Sequence, residues 1–124
     1  MGNEANKSLG DVVRAARVVK GLGLRELARR LNKTPSYLSD IENDRRVPAE
    51  DMLRDLARLL ELDFDDLMAR AGRLGDDALR YLTKTPAAGV LMRKLSAANA
   101  PTELLEKLTK EVDRKLPKAK GGTE

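Results

Sequence analysis

Apolar residues recur along this chain at the spacing of an amphipathic α-helix. In four successive stretches they fall at positions i, i+3, i+4 and i+7, which form the stripe that one face of a helix presents to a core. The four sets are Leu9, Val12, Val13 and Ala16; Leu24, Leu27, Ala28 and Leu31; Leu53, Leu56, Ala57 and Leu60; and Phe64, Leu67, Met68 and Ala71. No stretch shows the strict alternation of a half-buried strand. The pattern therefore predicts an all-α fold.

Residues that favour turns separate these stripes. The predicted breaks lie at residues 21–23, 32–33 and 43–47. Asn32 lies where the chain turns between the second and third helices, a place that favours Gly or Asn because both tolerate positive φ. Thr34 and Pro35 are a good helix start, since the Thr hydroxyl accepts an orphan amide and proline needs no donor at the first position. The third helix is therefore predicted to begin at Thr34 or Pro35.

Three further amphipathic segments follow Gly72. Their apolar residues are Leu79 and Leu82 after Asp76-Asp77; Val90, Leu91, Leu95 and Ala98 after Pro86; and Leu105, Leu108, Val112 and Leu116 after Pro101. Such helices are too amphipathic to be stable alone, so their apolar faces need another surface. The predicted organisation is a disordered head at 1–7, a domain at 8–72, a C-terminal helical segment at 73–116 and a disordered tail at 117–124.

Composition limits the chemistry that the chain can perform. Its 124 residues allow one compact domain with a small appendage, and an aromatic content of 2% leaves the core to aliphatic side chains and Met. The absence of Cys and His excludes disulfides, thiol nucleophiles, most zinc sites and every imidazole base. Asp63, Asp65 and Asp66 stand at a predicted helix start, where acids favour the helix dipole. We therefore expect no enzyme activity, no cofactor and no metal.

The distribution of charge is compatible with a polyanionic partner. The net charge is +4, and residues 1–50 carry 10 basic against 7 acidic side chains. Two Tyr and one Phe leave little for stacking on RNA bases, which favours duplex DNA. No apolar run reaches the roughly 18 residues of a membrane helix, and residues 1–9 contain no apolar signal core. We therefore expect a cytoplasmic protein with no membrane partner.

Residues 23–43 contain the pattern L-A-x-x-L, a turn, and S-x-L-S-x-I-E-N. Ala28 has to be small because two helices cross closely there. The segment resembles the helix-turn-helix of the Cro and CI-like (XRE) family of phage repressors and bacterial regulators. The resemblance extends over roughly Leu9 to Ala71, since L-x-x-L-A-x-x-L and D-F-D-D-L-M follow downstream. It implies a five-helix lambda-repressor-like DNA-binding domain, with a C-terminal extension of about three helices.

The resemblance implies that the third helix lies in the major groove and reads base edges. Its base-reading residues are then Ser36, Tyr37, Ser39 and Asp40. A Ser hydroxyl discriminates weakly because it both donates and accepts, whereas Asp40 can accept from a cytosine amino group but is repelled by phosphates. The alternative for Tyr37 is that its ring packs on the domain surface. Pro35 and Ser36 stand where glutamines often read in this family, so the base preference is not predicted.

Residues that flank the third helix are expected to bind DNA phosphates, because they reach the strands on either side of the groove. The predicted phosphate-binding residues are Lys33, Thr34, Asn43, Arg45 and Arg46. The alternative for each is a solvated basic loop, and the adjacent pair Arg45-Arg46 favours DNA most. Arg17 and Glu42 match the family's ion pair between the first and third helices, which would hold the third helix against the scaffold.

These features predict a sequence-specific transcriptional regulator. A repressor is favoured because an operator that overlaps a promoter blocks polymerase without further machinery, while activation stays open. A homodimer is preferred to a monomer with folded-back helices, since two copies double the base contacts and read a palindrome. The alternative is an antitoxin or a regulator whose C-terminal helices bind a toxin, a sensor or a metallopeptidase. Residues 81–86 before a Leu-rich helix are similar to the tails of XRE regulators that have a metallopeptidase or sensor partner.

Overall fold

Helices make up nearly all the regular structure of the chain. A computed structural model describes residues 6–117. Within this range there are eight α-helices and no β-strand: α1 Leu9–Val19, α2 Leu24–Arg30, α3 Pro35–Glu42, α4 Glu50–Leu60, α5 Phe64–Arg70, α6 Asp76–Lys84, α7 Pro86–Ala97 and α8 Thr102–Lys115. None of these eight is long and apolar enough to cross a membrane. The predicted all-α class is confirmed, as is the series of five helices followed by three.

The predicted disordered ends fall mostly outside the described residues. Residues 1–5 of the head and 118–124 of the tail are not among them. The Lys7 carbonyl accepts a hydrogen bond from Arg70 Nη1 at 2.7 Å, which ties the start of the described chain to α5.

Side-chain N-caps stabilise the first turns of several of the first five helices. α3 begins at Pro35, and Thr34 Oγ1 accepts a hydrogen bond from the Tyr37 amide at 3.0 Å. Ser8 and Asp63 accept first-turn amides of α1 and α5 in the same way. Such caps satisfy amides that have no partner inside the helix, and each contributes about 1 kcal/mol. The predicted start of the third helix is confirmed.

Two residues with positive φ make the tight corners on either side of α3. Asn32 has φ 60°, and the Lys33 amide donates to an α2 carbonyl at 2.9 Å. Asp44 has φ 59°, and the Arg45 amide donates to the Asp40 carbonyl at 2.8 Å. These hydrogen bonds satisfy carbonyls that the helix ends leave without a partner. The predicted turn at Asn32 is confirmed, and Asp44 makes a second corner of the same kind.

Helices α1 to α5 share one apolar core. Its buried hydrophobic residues are Leu9, Val13, Leu27, Ala28, Leu31, Leu38, Ile41, Met52, Leu53, Leu56, Ala57, Leu60, Leu67 and Met68. Leu27 of α2 and Leu38 and Ile41 of α3 are completely buried. Each such side chain contributes about 1.5–3 kcal/mol relative to an exposed one. Both helices of the predicted DNA-binding corner are therefore anchored in the core.

Gly10 of α1 lies against the end of α3 at a distance that excludes a side chain. A Cβ atom on Gly10 would lie 2.4 Å from the Glu42 carbonyl oxygen and 2.7 Å from that of Ile41. The Gly10 amide donates to Asp44 Oδ1 at 3.0 Å. The backbone of α1 therefore contacts the last turn of α3, and the missing side chain allows this close approach.

The chain divides into two compact units, and the boundary falls inside α6, between Arg80 and Tyr81. The helices α7 and α8 of the second unit contain no buried residue. Their exposed large hydrophobic side chains are Val90, Leu91, Met92, Leu104, Leu105, Leu108 and Val112. The apolar faces of these helices are therefore open to solvent in the single chain. The predicted domain boundary at residue 72 stays a prediction.

Candidate DNA-binding surface

The helix α3 has one face in the core and the other open to solvent. Leu38 and Ile41 are completely buried and hold the inner face. The predicted base-reading residues are all accessible: Ser36 is exposed, and Tyr37, Ser39 and Asp40 are partly exposed. The B-DNA major groove is about 12 Å wide and admits one α-helix. The structure therefore brings these four side chains together on a single helix that a groove can receive.

Two cations lie over the Tyr37 ring. One precedes α3 in the sequence and the other follows it. Lys33 Nζ is 5.1 Å and Arg46 Cζ 4.9 Å from the ring centroid. Both distances fall within the range of about 6 Å over which a cation is attracted to an aromatic face. The ring of Tyr37 thus packs against two predicted phosphate-binding residues while the side chain stays partly exposed.

Asp40 is paired with one of the predicted phosphate-binding residues. Arg45 Nε lies 3.4 Å from Asp40 Oδ1, and both side chains are accessible to solvent. A pair of this kind adds little to stability because water screens it. The guanidinium offsets the negative charge of the Asp40 carboxylate on the accessible face of α3.

The side chain of Asn43 is held by hydrogen bonds inside the protein. Its Nδ2 donates to the Ser39 carbonyl at 2.9 Å and to Ser39 Oγ at 3.2 Å. Its Oδ1 accepts from Arg14 Nη2 at 3.0 Å. Because Ser39 Oγ accepts here, the hydroxyl keeps its own proton as a donor. The predicted reader Ser39 and the predicted phosphate ligand Asn43 thus form one connected group.

The buried carboxylate of Glu42 joins α3 to α1. Arg17 Nε donates to Glu42 Oε2 at 2.6 Å and Arg17 Nη2 to Oε1 at 3.0 Å, so the pair is bidentate. Arg17 Nη1 also donates to the Leu22 carbonyl at 2.9 Å. The hydrogen bond with Glu42 raises the pKa of Arg17 above its ordinary value, against the opposing effect of burial. The pair holds the end of the candidate DNA-binding helix in a set orientation.

Comparison with known proteins identifies the family of this chain. The family model described as helix-turn-helix domain matches residues 10–73, more than half of the chain. The chain belongs to the helix-turn-helix family of DNA-binding regulators. The predicted membership of the Cro and CI-like (XRE) group is confirmed.

Three similar proteins match stretches of different length in this chain. Transcriptional regulator ClgR of Mycobacterium tuberculosis (strain ATCC 25618 / H37Rv) is 33% identical over 79 residues, which are 64% of this chain and 70% of that protein. The ImmF control region 10 kDa protein of Bacillus phage phi105 is 39% identical over 61 residues, 49% of this chain and 68% of that protein. The crystal structure of the clp gene regulator ClgR from Corynebacterium glutamicum is 25% identical, with a TM-score of 0.47, over 94% of this chain and 98% of that chain.

In a helix-turn-helix protein the second helix of the motif is the recognition helix, which enters the major groove. In this chain it is α3. The predicted phosphate-binding residues lie at both its ends and are all exposed: Lys33 and Thr34 before it, and Asn43, Arg45 and Arg46 after it. Three of the five are cationic. The recognition helix is therefore flanked by positive charge at both ends.

Two contacts of α1 with the recognition helix were not predicted from the sequence. Arg14 Nε lies 3.4 Å from Glu42 Oε1, so Glu42 has two arginine partners. The other contact is the close approach of Gly10 described above. Arg14 precedes Arg17 by three residues, and side chains at that spacing share one helix face. That spacing is a signal that could have pointed to Arg14, whereas Gly10 carries no comparable signal.

Proposed function

We propose that this helix-turn-helix protein is a transcriptional repressor that binds a palindromic operator as a homodimer. The observation that carries the proposal is the accessible face of the recognition helix, flanked by cations at both ends and held by the Arg17–Glu42 pair. The proposed base-reading residues are Ser36, Tyr37, Ser39 and Asp40, and the proposed phosphate ligands are Lys33, Thr34, Asn43, Arg45 and Arg46. The names of two relatives, a transcriptional regulator and a phage control-region protein, support a role in transcription.

The exposed apolar face of α8 supports association of two copies. Leu104, Leu108 and Val112 follow one another at a spacing of four residues, so they lie along one face of the helix. All three are exposed in the single chain. A second copy would cover this face, and the pair would present two recognition helices to two half-sites about 10 base pairs apart. A single recognition helix contacts few bases, so the second copy supplies specificity as well as affinity.

The experiment that tests operator binding is selection from a random duplex library with the purified chain at physiological salt. The mass of the bound species is recorded in the same series. A palindromic consensus bound by two chains is the expected result. Salt-sensitive binding without a consensus would contradict the operator proposal, because phosphate contacts alone carry no sequence information.

The oligomeric state is tested with a matched pair of α8 variants. Leu108→Glu places a charge on the apolar face and is expected to give a monomer by light scattering, with weaker binding to the palindrome. Lys110→Glu introduces the same side chain at an exposed position two residues away and away from the row, and should leave the dimer intact. A wild-type chain that is monomeric on the operator would contradict the dimer.

The sign of regulation is tested by transcription in vitro from a promoter that overlaps the selected site. A repressor lowers the amount of transcript as the protein concentration rises, because the bound dimer occupies the position of the polymerase. A rise in transcript with protein concentration would contradict repression and identify an activator.

A further inference from the structure

A cleft with basic walls lies at the corner between α2 and the recognition helix. Its volume is about 620 Å³, and it is open to solvent. Three cationic side chains line it: Arg25, Arg29 and Lys33. Thr34, Pro35 and Tyr37 line it on the side of the recognition helix. Of these three cations, the family resemblance assigned only Lys33 to DNA binding.

Helical spacing places two of the three cations on one side of α2. Arg25 and Arg29 are four residues apart, so their side chains are neighbours on the helix surface. Lys33 follows four residues later, beyond the turn at Asn32. Among the described residues Arg25 has no hydrogen-bond or ion-pair partner, and its side chain is exposed. The cleft therefore holds a cation whose charge no group in the described part of the chain offsets by direct contact.

Glu26 orients Arg29 without neutralising the whole cluster. Arg29 Nε and Nη2 donate to the two Glu26 carboxylate oxygens at 3.1 and 2.6 Å, and Arg30 Nε donates to Glu26 Oε2 at 2.8 Å. One carboxylate therefore faces two guanidiniums, and their hydrogen bonds lower the pKa of Glu26 to about 2. Arg30 belongs to this group but does not line the cleft.

We propose that this cleft binds a phosphate of the DNA backbone beside the major groove that the recognition helix enters. The proposal rests on the proposed function and adds Arg25 and Arg29 to the DNA contacts. A phosphodiester carries one negative charge and accepts hydrogen bonds through its free oxygens, and guanidinium groups match that geometry. The Thr34 hydroxyl accepts from the Tyr37 amide and still has a proton to donate to such an oxygen.

The test is the salt dependence of duplex binding by Arg25→Gln, Arg29→Gln and the control Arg30→Gln. Each phosphate contact contributes about 0.9 to the slope of log K against log salt concentration. Arg25→Gln and Arg29→Gln are each expected to lower the magnitude of that slope by about 0.9, on selected and unrelated duplexes alike. Arg30→Gln loses a Glu26 contact on the same helix, as Arg29→Gln does, and should keep the wild-type slope.

Ethylation of individual phosphates supplies a second readout. Wild-type binding should be blocked by ethylation at one phosphate outside the contacts of Arg45 and Arg46, and Arg25→Gln should lose sensitivity at that phosphate alone. Wild-type slopes for both Arg25→Gln and Arg29→Gln, with unchanged interference, would overturn the cleft as a phosphate site. That outcome leaves the operator proposal standing, whereas a wild-type chain that binds no duplex contradicts both proposals. Among the described residues Arg25 makes no hydrogen bond or ion pair, so its substitution tests binding with little effect on the fold.

Discussion

Arg17 of α1 donates two hydrogen bonds to the carboxylate of Glu42 in α3, and only 3% of the Glu42 side chain is exposed. Glu42 is the last residue of the recognition helix and the one buried charged residue in the described part of the chain. A buried carboxylate is tolerated only where cations compensate the loss of its hydration. The Arg17–Glu42 pair compensates this charge and also fixes the orientation of the recognition helix against α1.

Removal of the Arg17 side chain is expected to lower stability strongly. Arg17→Ala leaves Glu42 buried with only the longer contact to Arg14, and the expected loss in the free energy of unfolding is about 3 kcal/mol. Urea denaturation measures it. Arg14→Ala is the matched control, because the Arg14 side chain is 47% exposed and lies 3.4 Å from Glu42; its expected loss is about 1 kcal/mol or less. Equal losses for the two variants would contradict the assignment of Arg17 as the main partner.

Substitutions at the proposed reading positions should change specificity, whereas substitutions at the proposed phosphate positions should not. Asp40→Ala or Ser39→Ala removes a proposed base contact and is expected to relax the preference at one operator position, by about 1–3 kcal/mol for a strong contact. Arg46→Ala should weaken binding to all duplexes and reduce the magnitude of the salt slope by about one unit. Competition between the selected operator and unrelated duplexes measures both. A uniform loss from Asp40→Ala on every sequence would remove Asp40 from the readers.

The ring and the hydroxyl of Tyr37 are expected to have separable roles. Tyr37→Phe keeps the ring beside Lys33 and Arg46, so it should relax the preference at one base position and leave binding to unrelated duplexes unchanged. Tyr37→Leu also removes the ring, so Lys33 and Arg46 have to be ordered on binding, which should weaken binding to every duplex about fivefold, the equivalent of about 1 kcal/mol of side-chain ordering. Equal binding of Phe and Leu variants to unrelated duplexes would show that the ring does not order the cations. An unchanged consensus for Tyr37→Phe would show that the hydroxyl reads no base.

Gly10 should tolerate no side chain. Gly10→Ala places a Cβ atom 2.4 Å from the Glu42 carbonyl oxygen, so the backbone of α1 or α3 has to shift. The expected loss in the free energy of unfolding is about 1–3 kcal/mol. Gly89→Ala is the control, because Gly89 lies within α7 and a Cβ there meets no atom within 4 Å. That substitution should raise helix stability by about 0.5–1 kcal/mol, and a neutral Gly10→Ala would contradict the close approach of α1 and α3.

Glu26 should remain ionised to unusually low pH. Its pKa is lowered from the ordinary 4.5 to about 2 by hydrogen bonds from Arg29 and Arg30. A lowered pKa in the folded state means that the contribution to stability is present above pH 4.5 and is lost as the pH falls towards 2. Carboxyl-carbon NMR titration measures the pKa directly. The double variant Arg29→Gln and Arg30→Gln should return it towards 4.5, and an ordinary pKa in the wild-type chain would contradict the hydrogen-bonded group.

Local interactions made much of this structure predictable from the sequence. The apolar stripes predict the helices, the Thr34-Pro35 pair predicts the start of the recognition helix, and Asn32 predicts the corner before it. Each signal acts between residues a few positions apart, so composition and spacing are sufficient to detect it. The family pattern added the assignment of DNA binding and the partnership of Arg17 with Glu42.

Contacts between distant residues were decided by the tertiary structure alone. Arg14 approaches Glu42 across 28 positions, and the Gly10 amide reaches the Asp44 carboxylate across 34. The basic cleft forms only because the turn at Asn32 sets the side chains of α2 beside the start of α3. The sequence by itself determined which segments form helices and where the recognition helix begins. Which side chains meet depended on how the shared core packs those helices, because packing distances of a few ångströms are set by the whole core and not by spacing along the chain.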